Sequence, residues 1–403
     1  MRVDAHRGVT AACNHDERVR SRRLKAWPIF GIFVVQSILF LAHIFLFATW
    51  TFFWPGLSAG AVAGLRAGLL AMCFTFLPAA LLSFRYSSPV LAVYYRFAVL
   101  WLGFLNFLVM AALLCWPVWF LSHWLTPHAT AARPWICGIL TGLAVLAGIY
   151  GLVNARILRI RRLKVRIPHL PESWRGRKAV LMSDLHLGNV NGVGFSQRLV
   201  RTAAKLNPDI VFLPGDLFDG VQGDLDRLLT PFRELKPPLG VYFSSGNHEE
   251  FGDPAHYLDP ITRAGIRVLV NERVTVDGVH IAGISYRDST YPVRVRSLLE
   301  TMNLNSGKPS ILLHHVPSRL QLAERAGVSL QLSGHTHCGQ VFPFNLITYR
   351  IFGRFTHGLH SFGAMQVYTS SGAGTWGPPM RVGTQPEVVA LEFEAAPEHP
   401  RGG

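Results

Sequence analysis

The chain has 403 residues, half of them hydrophobic, with a mean hydropathy of +0.27. Lysine and arginine number 39 against 24 acidic residues, a formal net charge of +15. The length admits a full domain plus an added segment, and the hydropathy is too high for an ordinary soluble enzyme. The cysteines, Cys13, Cys73, Cys115, Cys137 and Cys338, form neither a paired secreted framework nor a four-cysteine zinc spacing. A basic balance suits nucleic acid or an acidic membrane surface, and its placement favours the membrane.

Residues 1–28 are polar and basic, with Arg18, Arg20, Arg22, Arg23 and Lys25 crowded before the first apolar run. Apolar runs at 29–54, 61–84, 97–120 and 135–153 each approach the ~20 residues a helix needs to cross hydrocarbon. Residues 29–155 are therefore expected to form four transmembrane helices. Gln36, His43, Arg66 and Asn106 interrupt them, and helix–helix hydrogen bonding or an interfacial position is the simpler reading of such groups. Trp50, Trp54, Trp116, Trp119, Trp124 and Trp135 stand near the run ends, as in an interfacial belt. Basic residues collect before the first run, between the second and third (Arg85, Arg96) and after the fourth (Arg156, Arg159, Arg161, Arg162, Lys164, Arg166). The positive-inside tendency then puts both termini in the cytoplasm.

Residues 156–177 read as a basic juxtamembrane linker beside anionic headgroups. Its partial alternation of apolar and basic residues also allows a strand from 159. From 178 to 396 the rhythm changes. Strand-length apolar runs at 179–182, 210–213, 241–243, 280–284, 311–313, 330–332, 366–368 and 388–393 are separated in several places by helical patterns at 195–206, 225–235, 254–264, 293–302 and 318–326. That alternation predicts a mixed α/β sandwich. The Asp277-Gly278 pair predicts a hairpin between 268–276 and 280–284. Residues 397–403 form a tail.

Polar clusters stand at the ends of five of these runs. They are Asp184-Leu185-His186, Gly215-Asp216-Leu217-Phe218-Asp219, Gly246-Asn247-His248-Glu249, His314-His315-Val316-Pro317 and Gly334-His335-Thr336-His337. Carboxylate, imidazole and amide groups are the donors that divalent cations such as Mn, Fe, Zn or Mg accept. Two such ions ~3.5–4 Å apart can clamp both sides of a phosphoryl displacement, and one carboxylate can bridge them.

Taken in this order, the five clusters resemble the calcineurin-like metallophosphoesterase superfamily. The Gly-His-Thr-His-x-Gly-Gln form and the Ser371-Gly372-Ala373-Gly374 loop are similar to its membrane-attached bacterial members. The resemblance implies a four-layer α/β/β/α sandwich preceded by an all-helical transmembrane region. It also implies two divalent metal ions. Asp184, His186 and His337 would hold the first, Asn247, His315 and His335 the second, and Asp216 would bridge them. The ions would activate a water held between them for attack on phosphorus. His248 would contact the phosphate and assist the leaving oxygen, with Asp219 orienting it from behind. The family pattern places the ligand two residues before the proline, which selects His315 over His314. Cys338 departs from the glycine usual in that subgroup, as a soft ligand, a redox liability or a neighbour pointing away.

The expected activity is hydrolysis of a phosphate ester or pyrophosphate in a membrane lipid or lipid-linked intermediate, at the cytoplasmic face of a bacterial inner membrane. Expected partners are the phosphorylated substrate and membrane lipids, without nucleic acid. A tethered nucleotide or broad-specificity phosphodiesterase, and a non-catalytic membrane sensor or scaffold, are the alternatives. Two further stretches invite a role. The loop at 370–379, with Trp376, offers backbone N–H groups or an apolar wall. The apolar stretch Phe342, Phe344, Leu346, Ile347, Tyr349, Ile351, Phe352, Phe355, interspersed with Arg350 and Arg354, reads as a lipid-facing lip, part of a substrate pocket, or core.

Overall fold

The computed structural model describes residues 6–125, 129–220, 222–250, 253–304 and 307–396, with side chains described from residue 30 onward except at 129. The basic side chains from Arg18 to Lys25 and the tail at 397–403 lie outside the described residues. The chain divides into two compact units, Met1–Leu81 with Phe104–Val145, and Leu82–Gly103 with Leu146–Gly403.

The helices α1 His6–Phe53, α2 Ala59–Cys73, α3 Phe76–Arg85, α4 Pro89–Leu125 and α5 Ala129–Arg156 open the chain. Four stretches of them, Phe30–Phe53, Ala59–Arg85, Pro89–Leu125 and Thr130–Arg156, are long and apolar enough to cross a bilayer, with mean hydropathies from 2.0 to 2.3. The expected second span is broken into α2 and α3. Pro78 cannot donate to the carbonyl of Phe74 and its ring crowds that turn, so the helix restarts there. Within the first unit Gln36 Nε2 reaches Cys73 O at 3.3 Å, and the Arg66 guanidinium lies over the Phe47 ring. Both are packing roles. Trp50, Trp54, Trp116 and Trp119 gather around buried Phe53, Cys115 and Cys137 in one aromatic cluster, whereas Trp124 and Trp135 are exposed.

The remaining elements follow in order. First come β1 Arg159–Ile167, β2 Lys178–Leu181, α6 Val193–Ala204, β3 Ile210–Pro214, α7 Leu225–Leu229, β4 Val241–Ser244, α8 Pro254–Arg263 and β5 Arg267–Val268. Then come β6 Glu272–Val276, β7 Val279–Gly283, α9 Tyr286–Ser289, α10 Pro292–Met302, β8 Ser310–Leu313 and α11 Leu320–Arg325. The chain closes with β9 Leu330–Ser333, α12 Phe344–Phe352, β10 Gly358–Phe362, β11 Met365–Thr369 and β12 Glu387–Ala395. Two six-stranded sheets result, in the orders β1-β12-β2-β3-β4-β5 and β10-β11-β9-β8-β7-β6.

The side-chain period of two explains the layering. In β2 and β3, Ala179, Leu181, Ile210 and Phe212 face the core between the sheets. Their neighbours Val180, Val211 and Leu213 join the outer core with Leu199, Leu229 and Ile261 from α6, α7 and α8. On the second sheet Leu312 and Val367 meet Leu299 and Ala323 from α10 and α11. The expected four-layer α/β/β/α sandwich is the observed one.

The hairpin at Asp277-Gly278 forms, with both residues at positive φ (45° and 89°) as its tight turn requires. It is shorter than expected. Arg267 and Val268 pair with β4 in the first sheet, and only Glu272–Val276 pairs with β7. Leu269, fully buried between the sheets, and Asn271 at φ 58° carry the chain from one sheet to the other. The juxtamembrane stretch is an edge strand, with β1 parallel to β12 along its full length. Lys164 and Arg166 pair there with Glu394.

In the second unit the exit ends of the long helices touch the loops of the sandwich. Arg96 Nε donates to Asn189 O at 2.5 Å, and Gln222 N to Ser83 O at 3.0 Å. Met380 packs against α4 at Gly103. Arg381 N donates to Gly151 O at 2.9 Å, and Asn154 Nδ2 donates to the carbonyls of Arg381 and Thr384.

Candidate metal centre

Strands β2, β3 and β4 run parallel, as do β8 and β9. Their carboxyl ends present the five polar clusters at one edge, where open α/β sheets carry their sites. Asp184 and His186 follow β2, Asp216 and Asp219 follow β3, Asn247 and His248 follow β4, His315 follows β8, and His335 and His337 follow β9. Asp184, His186, Asp216, His335 and His337 all adopt positive φ, from 46° to 70°. Such left-handed backbone at non-glycine residues costs of order 1–3 kcal/mol each and persists where surrounding structure enforces it. Here it folds each strand end sharply inward. Gly334 is required by the crowding that follows, because a Cβ there would strike Ser183 and the Asp184 carboxylate.

Among the described residues, three overlapping groups have donor atoms within 4.8 Å of one another: Asp184, His186 and His337; His186, Asp216 and His248; Asp216, His315 and His335. Asp216 belongs to two of them. His186 Nε2 and His337 Nε2 face each other at 2.9 Å, and Asp184 Oδ1 is 3.5 Å from His337 Nε2. His315 Nε2 lies 3.2 Å from Asp216 Oδ2. Asn247 Oδ1 is 3.1 Å from His335 Nδ1, which brings the amide to the second group. His315 Nδ1 donates to Pro214 O at 2.8 Å, so Nε2 is the ring atom turned to Asp216.

The donor set fits two divalent cations. Asp184 Oδ2 and His186 Nδ1 are buried without a hydrogen-bond partner. Two imidazole nitrogens in contact, flanked by carboxylates, are an arrangement that a cation satisfies better than a proton does. The electrostatics agree. Burial pushes Asp184 up to about 6 and Glu249 up to about 7, and raises Asp219 well above the carboxylate range. Burial pushes His335 down to about 4 and holds His186 and His337 well below the ordinary histidine value. Asp216 and His315 are the exception. Burial opposes charge on both, but their mutual attraction wins, holding Asp216 low and lifting His315 to about 10.

Asp219 sits behind His248, but through its main chain, since His248 Nδ1 meets Asp219 O at 3.1 Å. Its carboxylate turns instead toward His186, with Oδ1 3.8 Å from Nδ1. His314 alternates to the other side of its strand and stands outside the three groups. Cys338 is also outside them. Its thiol is pushed up by burial, and its N–H is capped by Thr336 Oγ1.

Sequence reasoning missed several residues. Glu249, fully buried, accepts from the N–H groups of Asp216 and Gly246 through Oε2 and of Phe218 through Oε1. It ties the loops after β3 and β4 together. Its place beside His248 in the motif was the available signal. Arg381, also fully buried, donates to the carbonyls of His337, Gly372 and Gly374, and no spacing pattern marks it. Gln340 pins the 370–379 loop through Trp376 and Pro378. Trp376, Tyr286 and Phe352 then wall the site, with ring centroids 6.0 Å from His248, 6.2 Å from His335 and 6.3 Å from His335, respectively.

Comparison with known proteins agrees with this geometry. The profile of the calcineurin-like phosphoesterase family matches residues 177–339. A zebrafish (Danio rerio) transmembrane protein with metallophosphoesterase domain is 34% identical over 63% of this chain and 61% of its own. An uncharacterized metallophosphoesterase of Campylobacter jejuni is 31% identical over 61% of this chain and 66% of its own. The chain thus spans less than two thirds of the length of these two relatives. An uncharacterized metallophosphoesterase of Aquifex aeolicus is 34% identical over 62% of this chain and 98% of its own. With the sandwich, the strand-end donors and a relative matched along nearly its whole length, the chain belongs to the calcineurin-like metallophosphoesterase family.

Proposed function

We propose that this protein is a membrane-integral, metal-dependent phosphoesterase that hydrolyses a phosphate ester or pyrophosphate of a membrane lipid or lipid-linked intermediate. The observation that carries the reading is the convergence of buried imidazole and carboxylate atoms in three overlapping groups, linked through His186 and Asp216. In this reading Asp184, His186 and His337 hold one divalent ion, Asn247, His315 and His335 hold the other, and Asp216 serves both. When bound, the ions supply an acidified water and neutralise charge on the phosphoryl oxygens. The carbonyls of Pro214 and Asp219 fix the tautomers of His315 and His248 by engaging Nδ1 of each ring. His248 then directs Nε2 at the phosphoryl group and stabilises or protonates the leaving oxygen. Trp376 over His248 excludes water from that side.

The preference for an amphiphile is supported by the contacts of residues 82–103 and 146–156 with the loops of the sandwich. These bring candidate span ends to the site's own surroundings. In the same reading the basic residues outside the spans hold both termini and the 178–396 domain in the cytoplasm of a bacterial cell, and Mn, Fe, Zn and Mg all suit the donors.

The test is hydrolysis by detergent-purified protein, supplemented with manganese, on paired substrates. Soluble phosphate mono- and diesters form one set, lipid phosphates and lipid-linked pyrophosphates the other, with Asp216→Asn and His248→Ala as controls. Turnover confined to the lipid set and lost in both variants is expected. Equal turnover of soluble esters would refute the lipid preference, and absence of turnover on both sets with metal bound would refute the enzyme reading.

A further inference from the structure

Helix α12, directly after the histidine motif, is built inside out. None of its residues is buried. Phe344, Leu346, Ile347, Tyr349 and Ile351 are exposed by 48–66%. The side turned to the protein carries Asn345, Thr348 and Phe352, all half-buried. Their spacing of three and four puts them on one face. Asn345 packs at Gly339 and Gly383, the Thr348 carbonyl accepts from Thr356 Oγ1, and the Phe352 ring lies edge-on to His335. The core alternative therefore fails for α12, while Phe355, beyond it, packs against the core of the second sheet. A contiguous exposed apolar face of this kind marks an interaction surface.

The same unit points to what covers it. Phe342, just ahead of the helix, donates its N–H to Val382 O at 3.0 Å. Val382 packs on Gly151 of α5, beside the bond from Arg381 N to Gly151 O. Met380 packs on Gly103 of α4. Both helices are candidate membrane spans, so α12 is tied by a short run of backbone contacts to segments that meet lipid. Arg350 is exposed among its apolar residues, and Arg354 is exposed just past its end. Apolar side chains with interspersed arginine suit the boundary between anionic headgroups and acyl chains.

We propose that α12 is an interfacial helix whose outward face lies in the lipid boundary and holds the mouth of the metal centre at headgroup level. The inference rests on the membrane-integral reading and specifies how a lipid phosphate reaches the site. Phe352 couples the helix to His335, so acyl chains leave along α12 while the phosphate enters between Trp376, Tyr286 and Phe352.

The test uses the full chain in phosphatidylcholine–phosphatidylglycerol nanodiscs, with its five cysteines replaced. An environment-sensitive fluorophore is placed through Leu346→Cys or Ile351→Cys, with Glu300→Cys on α10 as the exposed control. The α12 labels are expected to emit to the blue of the control, to resist iodide, and to be quenched by lipids brominated at a depth of ~5–10 Å. Labels as open to iodide as the control would overturn the proposal. So would labels shielded from iodide but blind to brominated lipid, which would mean that a second copy covers the helix. Should the cysteine-free chain not fold, a photo-crosslinking residue at Tyr349 in the native chain serves. Lipid adducts support the proposal, and adducts to protein alone overturn it. None of these readouts involves turnover. Lipid-buried labels on a chain inactive toward lipid phosphates would reject the substrate and keep the helix assignment, and turnover of lipid phosphates with water-exposed labels would do the reverse.

Discussion

Glu249→Gln separates the scaffold of the centre from its ligands. The carboxylate accepts three main-chain N–H groups at 2.9–3.0 Å, two on Oε2 and one on Oε1. A glutamine offers one acceptor oxygen. In its better orientation it keeps the N–H groups of Asp216 and Gly246, and turns its own NH2 against that of Phe218. Two buried donors are then left facing each other. At ~1–3 kcal/mol for each unsatisfied buried group, the loss is about 2–6 kcal/mol. For a domain of this size that corresponds to roughly 4–24 °C in apparent Tm. The loops carrying Asp216, Asn247 and His248 lose their common anchor, and above about pH 7 the site also loses a negative charge. Both effects weaken cation binding in the same direction, by about 10–100-fold for a supporting residue of this kind. Thermal unfolding followed by circular dichroism and metal titration against a competing chelator measure the two effects, with exposed Glu300→Gln as the control. A Glu249→Gln protein with wild-type Tm and wild-type metal affinity would refute the reasoning.

Three other outcomes follow from particular contacts. His248→Ala should lower kcat by about 100–10,000-fold, the usual range for a lost acid–base group, while bound metal measured by mass spectrometry stays near the wild-type amount. Gly334→Ala should lose both metal and stability, because the added Cβ meets Ser183 and Asp184; a variant with full metal content would show that the strand ends yield more easily than described. Glu387 supplies the pH prediction. Burial alone would raise its pKa, but hydrogen bonds from His357, Ser371 and Tyr368 outweigh burial and hold it below its ordinary value of 4.5. A carboxylate depressed on folding stabilises above the unfolded value and loses that contribution as pH falls through the folded one. Glu387→Gln should therefore flatten the decline of Tm below about pH 4.5; an unchanged acid limb would count against it.

The chemistry of the centre was legible because it is local in sequence. Each donor follows an apolar run by a few residues, and a strand-length run fixes where its carboxyl end lies. Between His314 and His315, only the family pattern, with its ligand two residues before Pro317, offered a choice. The four spans were legible for the same reason, since crossing hydrocarbon is a matter of length and composition. The break before α3 was written in Pro78, though one continuous run concealed it.

Other features depended on groups far apart in the chain. Arg381 is a lone arginine after a glycine-rich loop, and only folding wraps it with the carbonyls of residues 337, 372 and 374. The parting of β5 from β6 turned on Leu269 finding space between the sheets, which hairpin propensity does not encode. Hydrophobicity alone could not say whether residues 344–352 were core or surface, because an apolar helix reads alike in either place until its neighbours are known. The sequence by itself determined which polar groups stand at the strand ends and which segments are apolar enough for lipid. The tertiary structure decided what those segments touch, because burial and left-handed strand ends arise only when distant strands close on one another.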